Sequence, residues 1–449
     1  MRELLEETAQ RAISYLDGLG TRRVEPSAEE VSRLATLDEP LTEEPTPAQT
    51  VIKLLDETCS PATMAMAGPR FFGFVIGGSL PATLAANWLA SAWDQNTGLH
   101  TPTPATASLE QIALNWLLDL FKLPSECGGA FVTGATMANF SALAAARHAL
   151  LERTGWNVEA DGLFGAPAIT VVVGEEAHPT LFKSLGLLGL GRNRVIRIPV
   201  DSHGRMRADT LPQLTGPTIV CVQAGNVNTG AFDPFEALCE RAHEAGAWVH
   251  VDGAFGLWAT TSQSTAHLTT GLANADSWAT DFHKWLNVPY DSGLALVRDA
   301  EALRAAMAIT ADYLPTSLFR NPSDFTPELS RRARGVEVWA ALLSLGRKGI
   351  AELIERNCRQ ARRFAAGLEA AGYKVLNEVV LNQVLVAFGD AQMTNRVISE
   401  VQTEGTCWCG GTVWQGHTAM RISVSSWATT DEDVELSLGA MLRIAREHG

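Results

Sequence analysis

Positive charge is scarce in this chain. Thirty-five Lys and Arg stand against 50 Asp and Glu, a formal net charge of −15 over 449 residues. A general nucleic-acid binder is usually basic, so that class is set aside. Long apolar runs are missing too: no stretch of uncharged apolar residues reaches the ~18 that a bilayer span needs, and no membrane segment is expected. The N-terminal MRELLEETAQRAISYLDGL is acidic and amphipathic, without the apolar block of a secretory leader. Cysteine is sparse, scattered and odd in number at seven. No disulfide framework is implied, and a reducing cytoplasm is the expected compartment. Cys407-Trp408-Cys409 is the one close pair; without a second cluster it reads as core cysteines, and no metal is expected. Internal repeats are lacking as well.

What is present is a globular composition, 46% hydrophobic and 19% charged, in a chain long enough for two or three subdomains. Helical spacing marks residues 4–19 and 51–55, with a Pro/Glu/Thr connection over 39–47. Residues 1–80 are therefore expected to form an N-terminal helical arm, which needs another surface for its apolar face. From 81 to 335 short β-branched runs alternate with helical stretches. Strands are expected at 168–173, 194–199, 218–222, 248–251 and 292–297, with helices such as 140–152 and 235–245 between them. Continuous apolar strands alternating with helices predict an α/β fold with a mostly parallel sheet covered on both faces. A long helix over 328–345 leads into a smaller α+β domain, 336–449, with strands at 373–376, 383–388 and 419–424.

Two segments about thirty residues apart carry the chemistry: Val249-His250-Val251-Asp252-Gly253-Ala254 and Asp281-Phe282-His283-Lys284-Trp285. A lysine amine forms a Schiff base with an aldehyde. A carboxylate at a strand end can hold a pyridine nitrogen protonated, so that the ring withdraws electrons. Together they point to pyridoxal phosphate. The aromatic neighbours of Lys284 argue against an ordinary surface lysine. Thr133-Gly134-Ala135-Thr136 opens an Ala-rich helix; alone it reads as capping, and upstream of the Asp/Lys pair it reads as a phosphate cup. His178 could stack on a ring or serve as a structural hydrogen-bonder. His283 could contact phosphate or substrate. Asn226 could reach the cofactor or simply serve its turn.

Taken in order, these motifs resemble the group II pyridoxal-phosphate-dependent amino-acid decarboxylases, the family of the aromatic L-amino-acid and glutamate decarboxylases. Pro69-Arg70-Phe71-Phe72-Gly73-Phe74, residues 133–139, Ala177-His178, Asp252-Gly253-Ala254, His283-Lys284-Trp285 and Ser330-Arg331-Arg332 to Trp339 carry the resemblance. It implies fold type I, the aspartate-aminotransferase-like architecture, and a homodimer with the active site at the interface. It also implies roles: Lys284 as the Schiff-base lysine, Asp252 on the pyridine nitrogen, His178 on the ring face, Ala254 beneath the ring, and Ala135, Thr136 and His283 at the phosphate.

Three departures stand out. The family's mobile loop carries a proton-donating tyrosine, whereas residues 314–325 contain none; Tyr313 lies just before them. Asn226 stands where the family has a threonine. Phe74-Val75-Ile76-Gly77-Gly78 aligns with a substrate-lining region yet offers no side-chain donors. Arg421 could clamp a substrate carboxylate or face solvent at a strand end. The expected reaction is decarboxylation of an L-amino acid with an apolar or aromatic side chain, argued from Phe71, Phe72, Phe74 and Trp93. The alternative is an aldolase, lyase or aminotransferase breaking Cα–Cβ or Cα–H.

Overall fold

The computed structural model describes residues 1–309 and 318–448. Its larger unit, residues 77–362 with 377–383, is built on seven strands: β1 (Gly128–Val132), β2 (Thr170–Gly174), β3 (Ile196–Ile198), β4 (Thr218–Gln223), β5 (Trp248–Asp252), β6 (Ser277–Asp281) and β7 (Gly293–Val297). Their order across the sheet is β1-β7-β6-β5-β4-β2-β3. Only β7 runs against its neighbours β1 and β6; the other pairings are parallel. Apart from the edge strand β3 the strands are almost wholly buried, as expected of strands covered on both faces.

The helix Ala135–Glu152 packs on β1, β5, β6 and β7. Ala138, Ala142, Ala145 and Ala146 are fully buried; their small side chains let the helix sit close to the sheet. Chain direction puts the carboxyl ends of β1, β4, β5 and β6 on one side, where ligands of such sheets bind.

The other unit comprises residues 1–76, 363–376 and 384–449. It contains β8 (Lys374–Val375), most of β9 (Gln383–Ala387), β10 (Gly410–Trp414) and β11 (His417–Ser423), ordered β10-β11-β9-β8. The sequence placed domain boundaries after residues 80 and 335, whereas here the arm clusters with the C-terminal part. The reason is local. Buried Arg70 donates to the carbonyls of Thr406 (2.7 Å) and Gly20 (2.8 Å) and pairs with Asp433 at 3.2 Å. Phe71 stacks on Trp408 with ring centroids 5.1 Å apart. Phe72 meets Phe364 edge-on. Both phenylalanines are core side chains, so they cannot line a substrate pocket, and that argument for an apolar substrate is withdrawn.

The long helix begins at Gly335 rather than at 328, and Gly346, at φ 59°, interrupts it before it runs on to Ala370. The segment before Gly335 is held by a side chain turned inward. Arg331 pairs with Glu110 at 2.7 Å and donates to the carbonyls of Thr97 (2.8 Å) and Phe131 (2.6 Å). Arg320 reaches the other oxygen of Glu110 at 3.2 Å. All seven cysteines are free. No helix among the described residues is long and apolar enough to cross a membrane, and among them no three His, Cys, Asp or Glu side chains gather as metal ligands.

Candidate active site

A cavity of about 360 Å³ opens beyond the carboxyl ends of β1, β5 and β6. Six residues singled out from sequence line it: Ala135, Thr136, His178, Ala254, His283 and Lys284. They arrive from four turns. Ala135 and Thr136 begin the helix after β1. His178 is the N-cap of the helix Pro179–Leu187, its Nδ1 2.7 Å from the Thr180 hydroxyl. Ala254 follows β5, and His283 and Lys284 follow β6.

Close approach of backbones shapes the cup. A Cβ on Gly134 would lie 2.9 Å from the His283 ring and 3.1 Å from Asp281 Oδ1, and one on Gly293 would lie 2.5 Å from Gly134 Cα. Only glycine fits either place without a shift. At the helix start the amides of Thr136 and Met137 have no intrahelical acceptor, which makes this end an anion-binding terminus.

Asp281 was not singled out from sequence, yet it organises this end of the cavity. It is 2% exposed. Its Oδ1 accepts from the Ala135 amide at 2.6 Å, and its Oδ2 lies 2.9 Å from Lys284 Nζ. The Ser292 amide donates to His283 Nδ1 at 3.2 Å, leaving Nε2 to face Asp281 Oδ1 at 3.4 Å. Burial pushes the His283 imidazole below its ordinary value, with Asp281 opposing. Tyr290 stacks on His283 at a centroid distance of 4.3 Å. Burial pushes its phenol up to about 12, so it keeps its proton at neutral pH.

Asp252, the last residue of β5, is 6% exposed. It accepts from Asn139 Nδ2 at 3.2 Å and from the Ala254 amide at 3.3 Å. Among the described residues no cation pairs with it. A buried carboxylate satisfied by neutral donors alone suits a protonated ring nitrogen as its charge partner. With the amine of Lys284 and the helix terminus, the donor set fits pyridoxal phosphate.

Three further sequence candidates are not among the residues lining this cavity. Asn226 is buried in its own turn: Oδ1 accepts from the amides of Asn228 (2.8 Å) and Thr229 (3.2 Å), and Nδ2 donates to Glu176 at 3.0 Å. Those are the bonds of turn chemistry, and Asn226 does not line the cavity. Phe74 and Arg421 belong to the other unit. There Phe74 is 56% exposed and stacks on Trp408, and Arg421 sits on β11. Tyr313 and residues 314–317 lie outside the described residues. Among the residues the sequence reading passed over, Asn139 had a signal: an amide inside an Ala-rich helix is locally unfavourable and needs a reason.

Comparison with known proteins closes the description. The sequence profile of the pyridoxal-dependent decarboxylase conserved domain matches residues 31–389. An aromatic-L-amino-acid decarboxylase of Bacillus atrophaeus is 25% identical over 98% of this chain and 94% of its own length. An L-2,4-diaminobutyrate decarboxylase of Rhizobium meliloti is 30% identical over 82% of this chain and 76% of its own. The crystal structure of Oryza sativa TDC with PLP and tryptamine superposes with a TM-score of 0.91 at 22% identity, covering 99% of this chain and 97% of that one.

Proposed function

The chain belongs to the pyridoxal-dependent decarboxylase family, and on that premise we propose that it removes the carboxylate of an L-amino acid with an apolar or aromatic side chain. That it is a pyridoxal-phosphate-dependent carboxy-lyase follows from membership; the substrate class and the residue roles are our reading. The observation that carries those roles is the convergence of Lys284, the start of the Ala135–Glu152 helix and His178 on one cavity, with Asp252 beside it.

When bound, the cofactor supplies an electron sink for the pair released at Cα. Lys284 Nζ provides the amine for its attachment, and Asp281 holds that amine at the cavity floor. Asp252 accepts the pyridine N–H. Thr136 and the first-turn amides hold the phosphate, with His283 beside them. His178 and Ala254 face the ring. Cleavage at Cα–Cβ or Cα–H is not favoured, because the matching family and the two relatives described above are decarboxylases.

The aromatic preference is supported by the Bacillus relative. The diaminobutyrate relative supplies the rival class. Incubating the holoenzyme with L-phenylalanine, L-tyrosine, L-tryptophan, L-glutamate and L-2,4-diaminobutyrate, with CO2 and amine measured together, separates them. Aromatic amine with stoichiometric CO2 is expected. CO2 from diaminobutyrate or glutamate alone overturns the substrate class, and turnover without CO2 overturns the reaction. We also assign a second copy of this chain as the partner of the helix Pro81–Trp93, which exposes Trp88, Leu89 and Trp93. Sedimentation should show a dimer, and a monomer at micromolar concentration would remove that assignment.

A further inference from the structure

Behind Asp252 runs a line of hydrogen bonds whose direction is set at the carboxylate end. Trp248 Nε1 lies 2.8 Å from Ser277 Oγ, Ser277 Oγ lies 2.9 Å from His250 Nδ1, His250 Nε2 lies 2.8 Å from Asn139 Oδ1, and Asn139 Nδ2 lies 3.2 Å from Asp252 Oδ2. Ser277, His250 and Asn139 are fully buried, and Trp248 is 3% exposed. An ionised carboxylate can only accept, so Asn139 turns its N–H2 to Asp252 and its Oδ1 to His250 Nε2. A neutral imidazole meeting that oxygen carries its proton on Nε2. Its bare Nδ1 then accepts from the Ser277 hydroxyl, whose oxygen accepts from the Trp248 indole N–H. Burial alone pushes His250 down to about 3, so the imidazole is neutral, as the chain requires.

We infer that Asn139 and His250 are positioning residues for Asp252, a one-way hydrogen-bond chain that orients its carboxylate without bringing a competing positive charge. The inference rests on the reading that Asp252 pairs with the cofactor's ring nitrogen. The chain crosses three elements: it starts on β5, passes through β6, returns to β5, and reaches Asp252 by way of the Ala135–Glu152 helix. The amide at its end is the one side chain that donates to Asp252 among the described residues, so a loose Asn139 leaves the carboxylate free to rotate.

The first test needs no cofactor. Full-length apoprotein labelled with 15N-histidine should show, for the resonance lost in H250Q, a protonated Nε2 and an unprotonated Nδ1. An Nδ1–H tautomer or a doubly protonated ring overturns the chain, whatever the enzyme does. In holoenzyme, Asn139→Leu removes both links at similar volume and should lower kcat about 10- to 100-fold, the usual cost of losing a supporting partner, with little change in the amino-acid KM. His250→Leu should follow it, whereas His250→Gln, which can still donate to Asn139 and accept from Ser277, should recover activity to within about threefold. If H250L and H250Q behave alike in folded protein, or if N139L moves only the unfolding midpoint, positioning is wrong. Asp252→Asn separates the layers. A collapse of cofactor affinity and kcat in D252N with none in N139L refutes the positioning claim alone. An unaffected D252N refutes the reading beneath it.

Discussion

Asp252 and Glu110 are both buried carboxylates, and the protein satisfies them in opposite ways. Glu110 is fully buried between two guanidiniums, Arg331 at 2.7 Å and Arg320 at 3.2 Å. Asp252 receives an amide side chain and a backbone N–H, and among the described residues no cation. The first arrangement meets the carboxylate's charge with cations of the chain itself and ties the segment before Gly335 to the neighbouring β1 carbonyl. The second keeps a negative charge ready for a positive partner that the chain does not supply. Asp281 differs from both: it faces a cation, Lys284, which must give up its ammonium charge to form a Schiff base.

Four experiments would break or sharpen this contrast. Lys284→Ala should abolish the visible Schiff-base absorbance and lower kcat by on the order of 10⁴-fold; a surviving band would mean that another amine holds the cofactor. Glu110→Gln leaves two buried guanidiniums without their counter-charge. It should cost about 3–5 kcal/mol in denaturant unfolding, while the folded fraction keeps its kcat; normal stability with lost activity would invert the assignment of the two regions.

Acid should act on the Asp252 side through His250. Its folded value of about 3 lies below the ordinary 6.5, so the unfolded chain binds its proton first. The contribution is complete above pH ~6.5 and is lost as pH falls toward about 3, by up to ~1.4 kcal/mol per pH unit. Asp233 opposes this: burial raises it to about 6, so the folded state takes up its proton first and gains stability on acidification through that range. The difference in unfolding free energy between wild type and H250Q isolates the histidine, and a flat difference from pH 7 to 4 would contradict a buried neutral ring. The smallest effect is expected for Thr136→Ala. Loss of one hydroxyl donor should weaken cofactor binding by about 1 kcal/mol, roughly fivefold, in a fluorescence titration.

Much of this was legible in the sequence, and the exceptions have physical causes. β2, β4, β5 and β7 are apolar runs that announce themselves. β1 and β6 did not: Gly128-Gly129 lowers strand propensity, and Ser-Trp-Ala-Thr-Asp reads as polar. Yet both are fully buried, because Ser277 and Asp281 spend their polar atoms on Trp248, His250, Ala135 and Lys284. The same applies at the site. Lys284, His283, His178, Ala254, Ala135 and Thr136 could be found from their neighbours in sequence. Asn139 and Asp281 were harder to find, because Asn139's side-chain partners and the Ala135 amide that binds Asp281 lie more than a hundred residues away in sequence. Phe71 and Phe72 erred the other way: aromatic residues in a recognised motif proved to be core.

The helix Ala135–Glu152 has one further consequence. In the proposed roles its first residues offer amides to the phosphate, and Asn139, four residues on, donates to Asp252, the acid assigned to the ring nitrogen. Four residues of helix span ~6 Å, so a single rigid rod acts as a gauge. Both ends of the cofactor are measured against one ruler, and an analogue with a longer or shorter reach between ring and phosphate must misfit at one end even if every contact residue is intact.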